Sequence, residues 1–191
     1  MKLRSLKNVL VISENKTFFD SMKLILPPDE FAVEHTCSGG EARRLIVNRQ
    51  FDILVINAPL PDEHGLSFAT DYVDSSMGIL LVCPPETYDA LSADGEENGI
   101  IVLSSSNPPA FVYVAIKMIS SMVKRLERLE KKNRSLQEKM EDIRIVNKAK
   151  WALIDKNKMN EAEAHKYIEK MAMDKRISRR EVAEMILDML D

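Results

Sequence analysis

The residues whose types and spacing could do chemistry lie mostly in the last fifty or so positions. Arg176, Arg179 and Arg180 surround the start of the segment SRREVAEMILDML. Cations in the first turn of a helix oppose its dipole, so folding alone would not select them there. A phosphate approaching that end would meet guanidinium groups and free backbone N–H groups together. Lys148 and Lys150, followed by His165 and Lys166, could extend this surface toward unstacked bases. The competing reading is a set of solvated charges balanced by Glu161, Glu163, Glu169 and Asp174. Trp151 could stack on a base, but a Trp at this spacing is expected in a helical core. Catalytic and metal chemistry are not indicated. Cys37 and Cys83 lack ligand spacing and the three histidines do not cluster. Both cysteines are expected as buried thiols in a reducing compartment.

The elements that must position the basic residues are helical. KAKWALIDKNK, NEAEAHKYIEKMAMD and SRREVAEMILDML read as three helices, the first closing a longer one. Asn160 with Glu163, and Ser178 with Glu181, have the spacing of a capping box. Ala149, Leu153, Tyr167, Ile168, Met171, Val182, Ala183 and Ile186 supply apolar faces for a small bundle. A core drawn from so few residues is marginal on its own.

Upstream, Val112, Ala115, Ile119, Met122, Leu126, Leu129, Asn133, Leu136, Met140 and Ile143 recur at alternating spacings of three and four. The pattern predicts a coiled coil, with Asn133 at an a position, where a buried amide fixes register and favours two strands. Arg125 and Glu130 fall at g and e and could pair across a parallel dimer. The seam of that dimer is expected to run through Ile119, Met122, Leu126, Leu129, Asn133, Leu136 and Met140. A long helix packed on its own chain is the alternative.

The first 120 residues alternate short apolar runs with helical patterns. VLVIS (9–13), FDILVIN (51–57), GILLVC (78–83) and GIIVLS (99–104) suit strands buried on both faces, and FAVEHT (31–36) fits an edge strand. FFDSMKLIL, GGEARRLIVNR and a segment around LSFATDYVD are long enough for crossover helices. The expectation is a doubly wound parallel α/β domain, whose site lies at the carboxyl ends of the strands.

Composition agrees with a soluble protein: 45% hydrophobic and 30% charged residues, and no apolar run near the roughly 18 residues that span a bilayer. The opening MKLRSLKNVLVISEN reads as a first strand, because Ser13, Glu14 and Asn15 cut the apolar stretch too short for a signal peptide. A cytoplasmic protein that does not engage membranes is expected. The net charge of −3 conceals an asymmetry. Residues 1–120 hold 9 Lys+Arg against 16 Asp+Glu, while residues 121–191 hold 18 against 14. Any polyanionic partner therefore belongs to the C-terminal side.

Residues 5–120, with the loop from Pro59 to Gly65 marking the register, resemble the receiver domain of response regulators. That resemblance implies a phosphorylation pocket at the strand ends, and here its positions fall on other residue types. The acidic pair falls on Ser13 and Glu14, the aspartyl nucleophile on Asn57, and the Ser/Thr position on Cys83. The switch aromatic falls on Val102 and the lysine near Ser105. A carboxamide is not nucleophilic, and Glu14 alone gives Mg²⁺ little charge to hold. Asp62 and Glu63 lie nearby, but the resemblance places them toward solvent. This implies a pseudo-receiver that is not an enzyme and needs no cofactor.

NKAKWALIDKNKMNEAEAHKYIEKMAMDKRISRREVAEMIL resembles the ANTAR domain, an RNA-binding antitermination module found behind receivers. Two departures from that pattern are Ile143, where an arginine is usual, and Trp151, where a small residue is usual. The resemblance implies binding to mRNA leaders with two small hairpins of six-base loops. The expected division is a pseudo-receiver over 1–120, a coiled-coil linker over 121–142 and the RNA module over 143–191. The expected function is a dimeric antitermination regulator that does not use aspartyl phosphorylation. The alternative is an adaptor whose pseudo-receiver docks a sensor or other protein, with RNA binding secondary.

Overall fold

A computed structural model describes residues 6–190; the opening MKLRS, read above with the first strand, lies outside the described residues. Strands β1 (Lys7–Ile12), β2 (Phe31–Thr36), β3 (Ile53–Asn57), β4 (Gly78–Cys83) and β5 (Ile101–Ser104) form one parallel sheet in the order β2-β1-β3-β4-β5. Between them run α1 (Lys16–Ile25), α2 (Gly39–Asn48), α3 (Gly65–Thr70) and α4 (Pro85–Glu97). The long α5 (Pro109–Asn157) follows, then α6 (Glu161–Lys175) and α7 (Arg179–Leu190). This is the doubly wound architecture expected, with FAVEHT at the edge.

The near-continuous apolar runs form strands because successive side chains serve opposite faces, and both faces are covered. Val9, Val11, Ile53, Val55, Leu80 and Val82 pack on one side against residues of α1 and α5. Leu10, Ile12, Leu54, Ile56, Ile79 and Leu81 pack on the other against Ala42 of α2 and Phe68 of α3.

Helix α4 is the crossover that the apolar pattern does not announce. Its one fully buried residue is Gly95, where a Cβ would lie 2.5 Å from Val102 Cγ2. The helix reaches the sheet through bare backbone, with Tyr88 and Leu91 partly buried beside it, so no regular apolar row is needed. Helix α3 is shorter than LSFATDYVD suggested. Turns follow it, closed by Tyr72 N–H to Ala69 O at 3.1 Å and Ser75 N–H to Tyr72 O at 3.0 Å.

The first third of α5 packs on the sheet. Val112, Ile116, Ile119 and Val123 share one helix face and are buried with the strands. Ile119 is only 3% exposed, and a Cβ on Gly78 would lie 2.0 Å from its Cγ2. This residue was expected in the dimer seam, but it is committed to its own chain's core, because Gly78 opens the notch it fills. The exposed row begins at Met122 and continues through Leu126, Leu129, Asn133, Leu136, Met140 and Ile143.

The chain divides into two compact units, residues 1–128 and 129–191. In the second, Ala149, Leu153, Ala164, Ile168, Ala172, Val182, Ala183 and Ile186 form the core. Ala164, Ile168 and Ala172, spaced by four, are the face of α6 that enters it. Tyr167 was expected there and is 42% exposed, while Met171 packs at the margin. Both capping boxes form. Glu163 N–H donates to Asn160 Oδ1 and Asn160 N–H to Glu163 Oε2, each at 2.9 Å. Ser178 N–H donates to Glu181 Oε2 at 2.7 Å, and Glu181 N–H to Ser178 Oγ at 3.2 Å.

Candidate functional site

The carboxyl ends of the strands gather Ser13, Asn57, Cys83 and Ser105, with Glu14 one residue beyond Ser13. Ser13 is fully buried and is the hub of the pocket. Asn57 Nδ2 donates to its hydroxyl oxygen at 3.0 Å, and Asn15 N–H donates to the same oxygen at 3.0 Å. The hydroxyl in turn reaches Asn15 O at 3.2 Å. The Ser13 carbonyl accepts from His35 Nε2 at 2.8 Å, which makes that ring nitrogen the protonated one. His35 is stacked on Phe19, with ring centroids 4.4 Å apart. The chain thus supplies partners to the polar groups that converge here.

The other pocket positions split between core and solvent. Cys83 is buried, its thiol 3.7 Å from Leu103 O, and burial pushes its pKa up. Cys37 was expected buried and is exposed, because it lies just past the end of β2. Val102 is a core residue, Glu14 is exposed, and Ser105 is exposed with its N–H on Cys83 O at 2.7 Å. Among the described residues no three His, Cys, Asp or Glu side chains come together as a metal-binding group.

Asp62 and Glu63 do not simply face solvent. The Asp62 carboxylate accepts from Gly39 N–H at 3.0 Å and Gly40 N–H at 2.9 Å, capping α2 from outside. Those two amides hold its carboxyl below the usual range. Glu63 pairs with Arg43 of α2, which also reaches Asp71 at 2.6 Å and lies over the Phe68 ring. The loop after β3 is tied to α2 by its own acids, which helix-terminal amides and an arginine satisfy better than solvent does.

The second site lies within the C-terminal unit. The last turns of α5, His165 of α6 and the start of α7 enclose a cleft of about 400 Å³. Of the seven basic residues singled out above, Lys150, His165, Arg179 and Arg180 line it, while Lys148, Lys166 and Arg176 do not. Arg180 is doubly held, to Asp142 of α5 at 3.0 Å and to Glu184 at 2.9 Å. These pairs raise its pKa, Glu184 first, and make it a strut between α7 and α5. Arg179 has one long contact, to Glu169 at 3.3 Å, and His165 Nε2 reaches the same oxygen at 3.3 Å. Lys150 is 3.4 Å from Glu161.

Two features of this unit differ from the sequence reading. At the α7 start Glu181 accepts from Ser178 N–H and Oγ, which lowers its own carboxyl pKa, so a carboxylate already stands at that helix end. Trp151 is not in the core: it is 70% exposed, since Ala149 and Leu153 take the buried face and Trp151 falls between them on the far side. Asn147 was missed. It is exposed on the cleft wall and makes no side-chain hydrogen bond among the described residues. Its only sequence signal is position, seven residues after Met140 and four before Trp151.

Residues 134–187, which include this bundle and its cleft, match the family model of the ANTAR domain. The C-terminal unit carries an ANTAR domain. Along the chain the protein is 26% identical over 153 residues to the transcriptional regulatory protein PdtaR of Mycobacterium tuberculosis, covering 80% of this chain and 75% of that protein. The sheet has solved counterparts. A CheY-like response regulator receiver domain protein from Methanospirillum hungatei is 22% identical, with a TM-score of 0.57, covering 63% of this chain and 98% of that one. The receiver domain of a putative Luxo repressor from Vibrio parahaemolyticus is 14% identical, with a TM-score of 0.59, covering 66% and 98%. The N-terminal unit has the receiver fold.

Proposed function

We propose that this protein is a dimeric RNA-binding transcription antitermination regulator that acts on hairpin-containing mRNA leaders without aspartyl phosphorylation. The observation that carries the reading is the coincidence of the ANTAR match with a cleft that gathers Lys150, His165 and Arg179 from three helices. The likeness to a transcriptional regulatory protein along most of both chains supports it.

In this reading residues 1–120 are a pseudo-receiver, 121–142 a coiled-coil linker and 143–191 the RNA module. The strand-end pocket holds the domain's shape. Its nucleophile position is an amide donor spent on Ser13, and Asp62 and Glu63 of the following loop are spent on α2. The row from Met122 to Met140 is the dimer seam. Its members are half exposed or more, which is costly for a helix that stays single in water.

The test is a titration of untreated full-length protein against RNA carrying two tandem hairpins with six-base loops, at several salt concentrations. Binding with a steep salt slope is expected. No binding, together with capture of a protein partner by the N-terminal unit, would replace this reading with the adaptor one. Acetyl phosphate with Mg²⁺ is expected to add no mass, and a stoichiometric acid-labile phosphate would overturn the pseudo-receiver assignment.

A further inference from the structure

The ANTAR cleft is not uniformly basic, and its mixture of surfaces narrows what it can hold. Ile143 and Val146 give it an apolar wall on α5. Asn147, on the same helix, presents a carboxamide with both donor and acceptor unengaged. Lys150 and Arg179 add cations from α5 and α7. The volume of about 400 Å³ lies in the range of about 300–1,000 Å³ that suits a small molecule or one unit of a polymer. Cations alone would serve a phosphate, and apolar residues alone would serve a protein helix. An apolar wall, a free amide and cations together match the three parts of a nucleotide: ring face, hydrogen-bonding edge and phosphate.

We infer that the cleft takes in one unpaired nucleotide of the RNA. The base lies against Ile143 and Val146, its edge is read by Asn147, and its phosphate sits between Lys150 and Arg179. This rests on the RNA-binding reading and deepens it. An unpaired RNA base offers a free edge, and a carboxamide can match a donor–acceptor pair on it with two hydrogen bonds. Arg180 does not touch the nucleotide; tied to Asp142 and Glu184, it keeps the wall in place as a positioning residue. Asn147 also continues the heptad register of Asn133 and Met140, so a second copy of the helix is the rival occupant. The nucleotide is favoured because the next register position is Lys150, not an apolar residue, and because His165 and Arg179 share the cleft.

The deciding experiment uses full-length protein, labelled hairpin RNA with a six-base loop, and a set of that RNA in which each loop base in turn is abasic. Wild type, Asn147→Ala and Arg179→Ala are titrated by anisotropy, with sedimentation to follow mass. For wild type, one abasic position should weaken binding roughly ten- to hundredfold. In Asn147→Ala the intact RNA should already be weakened, and that abasic position should cost several-fold less than it does in wild type, the mark of a shared interaction, the remainder being the base's contact with Ile143 and Val146. Arg179→Ala should weaken all RNAs alike. The same abasic profile in wild type and Asn147→Ala would overturn the nucleotide site while leaving RNA binding intact. A fall in mass for Asn147→Ala with an evenly scaled profile would assign the residue to the dimer seam and overturn it too. If wild type binds none of the RNAs, the RNA-binding reading itself fails and the nucleotide site with it.

Discussion

The strand-end pocket of the receiver-like unit and the cleft of the ANTAR unit are both polar, and they differ in where their polar groups spend their hydrogen bonds. In the first, Ser13, Asn57, Asn15 and His35 satisfy one another, while Asp62 and Glu63 are taken up by α2. In the second, Asn147 has no partner among the described residues, and Arg179 and Lys150 have only long contacts at 3.3 and 3.4 Å. A buried polar group that is satisfied internally stabilises a shape, and one left available at a surface can recognise something else. By this criterion Asn147, Lys150 and Arg179 are the groups that the helical bundle leaves available for recognition.

The comparison can be broken first at the seam that would join two copies. Replacing both Leu129 and Leu136 by Asp should convert a dimer to monomer in sedimentation, because two charges cannot be buried unpaired in a coiled coil. A variant that stays dimeric would move the interface elsewhere. Next comes the satisfied pocket. Ser13→Ala leaves the Asn57 amide and Asn15 N–H without their acceptor and should cost about 1–3 kcal/mol in denaturant unfolding of the receiver-like unit. Its RNA affinity should be unchanged; a weaker RNA complex at unchanged stability would mean that the pocket signals.

The cleft should behave the opposite way. Arg179→Ala should leave the melting temperature in place while reducing the salt slope of RNA binding by about 0.7–0.9 for each phosphate that the side chain neutralises. Lys166→Ala, outside the cleft, should change that slope little, and an equal reduction from both would make the basic surface diffuse. The smallest effect should come from acid. The amides of Gly40 and Gly39 depress the Asp62 carboxyl, so the unfolded chain binds its proton more readily than the folded one. The stabilisation is therefore full above the ordinary carboxylate range and fades as pH falls through the lowered folded value. Asp62→Asn should make the acid end of the stability profile shallower, and an unchanged profile would discount the α2 cap.

Much of the fold was legible because burial on both sheet faces leaves near-continuous apolar runs such as ILVIN and GILLVC. Helix α4 was not, because it meets the sheet through Gly95 and carries no apolar row. The basic residues were legible as types, but their division into a doubly held strut and loosely held cations was not. Asp142, which turns Arg180 into a strut, stands 38 residues away in sequence.

By itself, the sequence determined the alternation of strands and helices, the heptad row, the two capping boxes and the carboxamide of Asn57 closing the third apolar run. These are properties of local pattern and of single residue types, which a chain carries without folding. Tertiary structure decided that Ile119 fills the notch left by Gly78 and not a dimer seam, and that Trp151 is exposed while Tyr167 leaves the core. It also decided that Asp62 caps α2 and that Asn147 opens on a cleft with Arg179. Each of these depends on which face of an element meets its neighbour, and that is set by close packing between segments far apart in the chain.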